Sequence, residues 1–167
     1  ERDGARTADL LDAVVHVEEV GGPRAIPLNE LYRLPGDQPH RDTILDRASL
    51  ITAIELPAPT PGSRSMYRKV RDRASYAFAV ASVAASITVD DGRVRDVRLA
   101  FGATAPMPWR ARRAEAVLVG QPATEQSFRD AADAELQQAR PLRDNAFKVP
   151  LMRNLVTRVL ADLAGTT

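Results

Sequence analysis

Apolar and polar positions along the chain fall into short β-type runs first and longer helical runs later. Ala13-Val14-Val15-His16-Val17-Glu18 is a β-branched run that predicts a strand, ended by the turn signal Gly21-Gly22-Pro23. Residues 24–28 predict a second strand folding back on it. Asn29 stands where a helix cap would stand, ahead of Glu30-Leu31-Tyr32, and Pro35-Gly36 limits any helix there to one turn. The stretch 34–47, with its Pro, Gly, Asp and Gln, reads as a surface loop, and Leu50-Ile51-Thr52-Ala53-Ile54-Glu55-Leu56 as a strand ended by Pro57. Pro57-Ala58-Pro59-Thr60-Pro61-Gly62-Ser63 is the clearest linker in the sequence. It sets the expected division: a first region over 1–57, a Pro-rich link over 58–64, and a second domain over 65–167.

In the second domain, residues 65–70 predict a strand, and the apolar run 77–89 predicts another that closes on Asp90-Asp91-Gly92, a strong hairpin signal. The return strand spans 93–102, with Val94, Val97, Leu99 and Phe101 as its apolar members. After Pro106 and Pro108 the period changes. A short helix over 111–119 stops at Gly120, a longer one over 124–140 is capped by Thr124 with Phe128 and Leu136 inward, and Leu151, Leu155, Val159 and Leu163 recur every four residues through a last helix over 150–163. An antiparallel sheet of three or more strands followed by helices implies an α+β domain with the helices packed on one face.

Composition removes several function classes. The 23 basic and 22 acidic residues nearly cancel, so no long-range field draws the protein to nucleic acid or an anionic membrane. Without cysteine the chain forms no disulfide, ligates no iron–sulfur cluster and offers no thiol nucleophile. No apolar run approaches the roughly 20 residues that span a bilayer, and the charged first ten residues do not read as a signal peptide. The expected compartment is the cytoplasm, with the periplasm as the alternative. Because the chain opens at Glu1 and not at Met, it reads as a processed product or a piece of something longer.

No self-sufficient catalytic motif stands out. His16 on a strand and His40 in a loop lack metal-ligand spacing, Gly21-Gly22 is followed by Pro23 and opens no long helix, and Asp42 with Asp46 reads as a solvated loop in preference to a cation site. The richest stretch is Met66-Tyr67-Arg68-Lys69-Val70-Arg71-Asp72-Arg73-Ala74-Ser75-Tyr76-Ala77-Phe78-Ala79, where aromatic and basic residues alternate and then break into a polar turn. On its residues alone it is an anion site, a platform for single-stranded nucleic acid, or a solvated edge strand whose Arg71 and Arg73 pair with Asp72 and neighbouring acids.

The same stretch resembles the K-x-x-x-R segment that opens the C-terminal domain of flavoprotein subunits in the xanthine dehydrogenase, carbon monoxide dehydrogenase and aldehyde oxidoreductase family of molybdenum hydroxylases. Further segments match in order: the loop beginning Ile26-Pro27-Leu28-Asn29-Glu30-Leu31-Tyr32, the strand at Leu50–Leu56, the hairpin over 87–101, the turn Gly102-Ala103-Thr104-Ala105-Pro106, the 112–120 segment, and Asn145-Ala146-Phe147-Lys148-Val149. The likeness runs from about Ala13 to the last helix, and its nearest flavour is the bacterial aldehyde oxidoreductase. It implies that residues 1–57 are the tail of an FAD-binding domain and 65–167 the flavoprotein C-terminal domain.

The resemblance implies an FAD-dependent oxidoreductase subunit that takes electrons from [2Fe-2S] clusters and a molybdopterin centre on partner subunits and passes them through FAD to an external acceptor. Its partners would be an iron–sulfur subunit, a molybdopterin-binding subunit and an N-terminal FAD-binding region. The matching cofactor positions are Ile51, as an apolar contact to a ring face, and Lys69, as a cation that reaches the FAD. Arg71, Arg73, Ser75 and Tyr76 fall in the loop that lies beside the ring in the family. No residue is expected to be catalytic in its own right or to bind metal. The chain departs from the family in one serious respect, since nothing in residues 1–57 resembles the glycine-rich loops that hold the FAD phosphates, and it also has no cysteine for the extra iron–sulfur cluster that the aldehyde oxidoreductase type can carry in its flavin subunit. Two other readings stand beside this one, a subunit-docking or assembly module without redox chemistry, and an RNA-binding domain, which the near-neutral charge disfavours.

Overall fold

The computed structural model describes residues 12–166, which divide into two compact units, 12–58 and 59–166. The first unit is a three-stranded antiparallel sheet of order β2-β1-β3, built from β1 (Val14–Glu19), β2 (Gly22–Pro27) and β3 (Leu50–Glu55). Alternation along β1 turns Val15 and Val17 into a small core with Ile26 and Leu31. The single helical turn α1 (Leu28–Leu31) begins after Pro27, so Asn29 lies inside it and not at the expected cap. Proline, with φ already near helical values and no N–H to satisfy, serves at this boundary in its place.

The second unit carries a four-stranded antiparallel sheet, β4 (Arg64–Val70), β5 (Ala81–Asp90), β6 (Arg93–Gly102) and β7 (Trp109–Arg110), in sequential order. Asp91 and Gly92 both take positive φ at the β5–β6 turn, as the Asp-Gly signal requires. The run expected to enter β5 at residue 77 does so only at Ala81, leaving Ala77-Phe78-Ala79 in the preceding loop. Strand β7 carried no periodic signal because it is two residues long. Its Trp109 pairs with Phe101, the ring centroids 5.8 Å apart.

Three helices cover one face of this sheet: α2 (Arg112–Leu118), α3 (Glu125–Leu136) and α4 (Lys148–Ala164). Helix α2 packs on β6, α4 on β5 and β4, and α3 against both other helices. Thr124 caps α3 by accepting from the Ser127 N–H, as expected, but α3 ends at Leu136, four residues early. The buried side of α4 is broader than a single stripe: Met152, Val156 and Leu160 join Leu155, Val159 and Leu163, while Leu151 sits at its margin. The core takes Ala81, Val83, Ala85 and Ile87 from β5 and Val97, Leu99 and Phe101 from β6. The opposite set, Ser82, Ala84 and Ala100, faces away from the helices. Among the described residues, no helix is long and apolar enough to cross a membrane.

Candidate functional site

Strand register builds the most distinctive feature of the second unit. Lys69 on β4 pairs with Ser82 on β5, and Ser82 with Gly102 on β6. Residues paired across neighbouring antiparallel strands share a face, so a cation, a hydroxyl and a bare backbone form one row across the side of the sheet away from α2, α3 and α4. Tyr67 lies one step along the same face, paired with Ala84. The loop after β4 then brings Tyr76 and Phe78 over the end of this row. Together with Ala103 they bound an open concavity of about 660 Å³.

The loop geometry explains how two aromatic side chains come to stand outward. Tyr76 takes φ 49°, a left-handed conformation that a bulky residue adopts at a cost of order 1–3 kcal/mol. The Arg73 guanidinium donates to the Tyr76 carbonyl at 2.6 Å and holds the turn. Tyr76 is 96% and Phe78 99% exposed, far beyond what isolated surface aromatics need. Across the concavity, Ala103 also has positive φ, and its carbonyl accepts from the Lys148 ammonium at 2.7 Å. Among the described residues the Lys69 side chain makes no ion pair or hydrogen bond, and no acidic residue lines the concavity. An uncompensated cation beside aromatic walls and a floor of small residues suits a flat, electron-rich ligand.

The six residues singled out in the sequence are not all brought together. Lys69 and Tyr76 line the same concavity, and Arg73 supports it through the Tyr76 carbonyl. Arg71 and Ser75 are exposed on the same loop without lining it. Ile51 belongs to the first unit, where it lies on β3 opposite Val17 and is 48% exposed. Among the described residues no ion pair joins Arg71 or Arg73 to Asp72, so the loop is not held by the local charge pairing considered from sequence. His16 bonds Glu55 at 3.0 Å, and His40, Asp42 and Asp46 line an open concavity beside Arg41; among the described residues no group of three or more such side chains is placed to hold a metal ion. Sequence reading missed Tyr67, Phe78 and Ser82 as concavity residues. The first two stood inside the quoted motif, but which alternate residues face away from the helices becomes visible only with the β4–β5 register.

Residues 65–163, more than half of the chain, match the family model of the CO dehydrogenase flavoprotein C-terminal domain. The chain belongs to this family. Among its relatives, the aldehyde oxidoreductase FAD-binding subunit PaoB of Escherichia coli K12 is 41% identical over 161 residues, covering 96% of this chain and 47% of that protein. The glyceraldehyde dehydrogenase medium chain of Sulfolobus acidocaldarius is 27% identical over 135 residues, covering 81% of this chain and 46% of that one. Reconstituted CO dehydrogenase from Oligotropha carboxidovorans superimposes with a TM-score of 0.83 at 20% identity, over 98% of this chain and 56% of that one, and so shares the fold. This member of the flavoprotein C-terminal domain family thus spans about half the length of the curated relatives it matches. Its Lys69–Phe78 concavity lies inside the matched region.

Proposed function

We propose that the chain is the C-terminal part of the FAD-containing subunit of a molybdenum hydroxylase, and that the concavity of Lys69, Tyr67, Tyr76 and Phe78 faces the isoalloxazine ring. One observation carries the reading: among the described residues, a cation without a partner stands beside outward aromatic side chains in a concavity that no acidic side chain lines. The residues present fit a ring system. They do not fit a pyrophosphate, because among the described residues neither a long helix N-terminus nor a glycine-rich loop lines the concavity. The phosphates would be held by an N-terminal FAD-binding region, of which residues 12–58 form the last part, with Ile51 offering its exposed side chain to a ring face.

Bound FAD would supply reversible redox chemistry that no side chain here can perform. Lys69 stabilises the negative charge that a flavin gains on reduction and thereby sets its potential. Tyr76 and Phe78, with Arg71, Arg73 and Ser75 on the same loop, shape the approach of an external acceptor. The supply of electrons falls to an iron–sulfur subunit and a molybdopterin-binding subunit. The names of the relatives, FAD-binding subunits of aldehyde oxidoreductase and xanthine dehydrogenase, support the FAD-bearing share of this division.

Lys69→Ala in the FAD subunit containing this chain tests the reading. The flavin potential is expected to fall, or FAD retention to weaken by about fivefold, the factor for about 1 kcal/mol from a partly exposed charge. Potentiometric titration and FAD occupancy are the readouts. If both stay unchanged, the assignment of the concavity is wrong.

A further inference from the structure

We infer that the Ser82 hydroxyl is a direct hydrogen-bonding contact to the polar edge of the bound flavin ring, and that position 102 is glycine to keep that hydroxyl in place. The inference rests on the reading of the concavity as flavin-facing, and adds to it a residue that the motif does not contain.

Ser82 is only 5% exposed, yet its side chain lines the concavity, and among the described residues its hydroxyl has no hydrogen-bond partner. A hydroxyl in that position bonds water while the concavity is open. Once a flat ligand closes over it, the hydroxyl must bond the ligand or be left unpaired, which is costly for a buried polar group. The ligand therefore has to present a donor or acceptor at that point. A purely hydrocarbon ring does not meet this demand, whereas a flavin ring, edged with carbonyl oxygens and ring nitrogens, does. Lys69 stands beside Ser82 in the cross-strand row, so the two would address neighbouring parts of one edge.

Gly102 completes the row for a reason that can be separated from backbone freedom. It is absent from the positive-φ glycines, so its conformation is open to other residues. What a side chain there would meet is the Ser82 hydroxyl. A Cβ built at Gly102 would lie 2.4 Å from the Ser82 Oγ, closer than real Cβ contacts come, so any side chain there must drive the hydroxyl away. The next residue, Ala103, is tied by Lys148 through its carbonyl, which fixes the turn that brings Gly102 up to Ser82.

The test uses the FAD-replete subunit containing this chain, with Ser82→Ala, Gly102→Ala, their double variant, and Lys69→Ala for comparison. FAD dissociation and the visible absorption of the bound flavin are measured for each. Ser82→Ala is expected to weaken FAD binding about three- to tenfold, the range of one neutral hydrogen bond, and to shift the visible bands. Gly102→Ala should have a similar effect, and the double variant should be no worse than Ser82→Ala alone, since both remove the same contact. If Lys69→Ala weakens FAD while Ser82→Ala changes neither affinity nor spectrum, the Ser82 contact is refuted and the concavity reading stands. If neither variant changes anything, the concavity does not face the flavin and both fall together. Fully additive effects of Ser82→Ala and Gly102→Ala would refute the role given to Gly102.

Discussion

Glu135→Gln should destabilise the second unit by about 2–3 kcal/mol, although it changes neither size nor shape. Glu135 is 1% exposed at the end of α3, and four donors converge on its carboxylate. Oε1 accepts from Trp109 Nε1 at 2.8 Å and Gln138 Nε2 at 2.9 Å, and Oε2 from the backbone N–H groups of Arg113 and Ala114 at 2.8 and 3.1 Å. The last two are first-turn donors of α2, whose N-cap, Ala111, has no side chain with which to cap them. Glutamine keeps one acceptor oxygen and puts an NH2 where the other was, so whichever way the amide turns, two donors face a donor. The exposed Gln138 can turn to water. At least one buried N–H cannot, at about 1–3 kcal/mol, and removal of a negative charge from a helix N-terminus adds about 0.3–1 kcal/mol. For a unit near 100 residues this corresponds to a fall in Tm of roughly 10–20 °C. Trp109 is the only tryptophan and a member of the network, so its fluorescence during urea denaturation reads the loss at the site itself. A loss below about 0.5 kcal/mol, with unchanged Trp109 emission, would show that water supplies what the carboxylate is credited with here.

Leu155→Ala should cost about 2–5 kcal/mol by urea denaturation, because Leu155 is buried among the α4 residues that meet the sheet. Thr124→Ala should cost about 1 kcal/mol by removing the acceptor for the Ser127 N–H, and Thr124→Ser should restore most of it. FAD titrated into the 167-residue chain alone should bind more weakly than about 1 μM by fluorescence quenching. The contacts offered by the concavity, a few kcal/mol at most, do not offset an association cost estimated at 4–15 kcal/mol when the pyrophosphate finds no site.

Elements whose signal is local were legible from the residues. The β5–β6 hairpin was marked by Asp90-Asp91-Gly92, and α3 by Thr124, because turn and cap preferences act over three or four residues. Helix α4 followed from its four-residue recurrence, although its buried side proved wider, since it meets both sheet and α3. What depends on distant parts of the chain was not legible. Strand β7 is specified by pairing with β6, and Glu135 looks in sequence like any exposed helix acid. Of the site, the motif around Lys69 was visible as a pattern and through family resemblance. Ser82 was not, because a serine in an apolar strand gains meaning only from its neighbours across the sheet.

The tie between β4 and α4 bears on how the second unit comes together during synthesis. Arg68, on the unit's first strand, donates to Asp162 at 2.7 Å, a residue 94 positions later on its last helix. The same carboxylate pairs with Arg158 at 3.0 Å, and α4 supplies much of the apolar cover of β5. As the chain leaves the ribosome, the hairpin of β5 and β6 can form early from local contacts, but part of its oily side has no lid until α4 is made. Contacts so far apart in sequence slow folding, and a sheet waiting for its cover is the state most open to sticking to other chains. This unit therefore has a period of vulnerability set by the translation time of its helical half, during which a chaperone or an already assembled partner would have the most to protect.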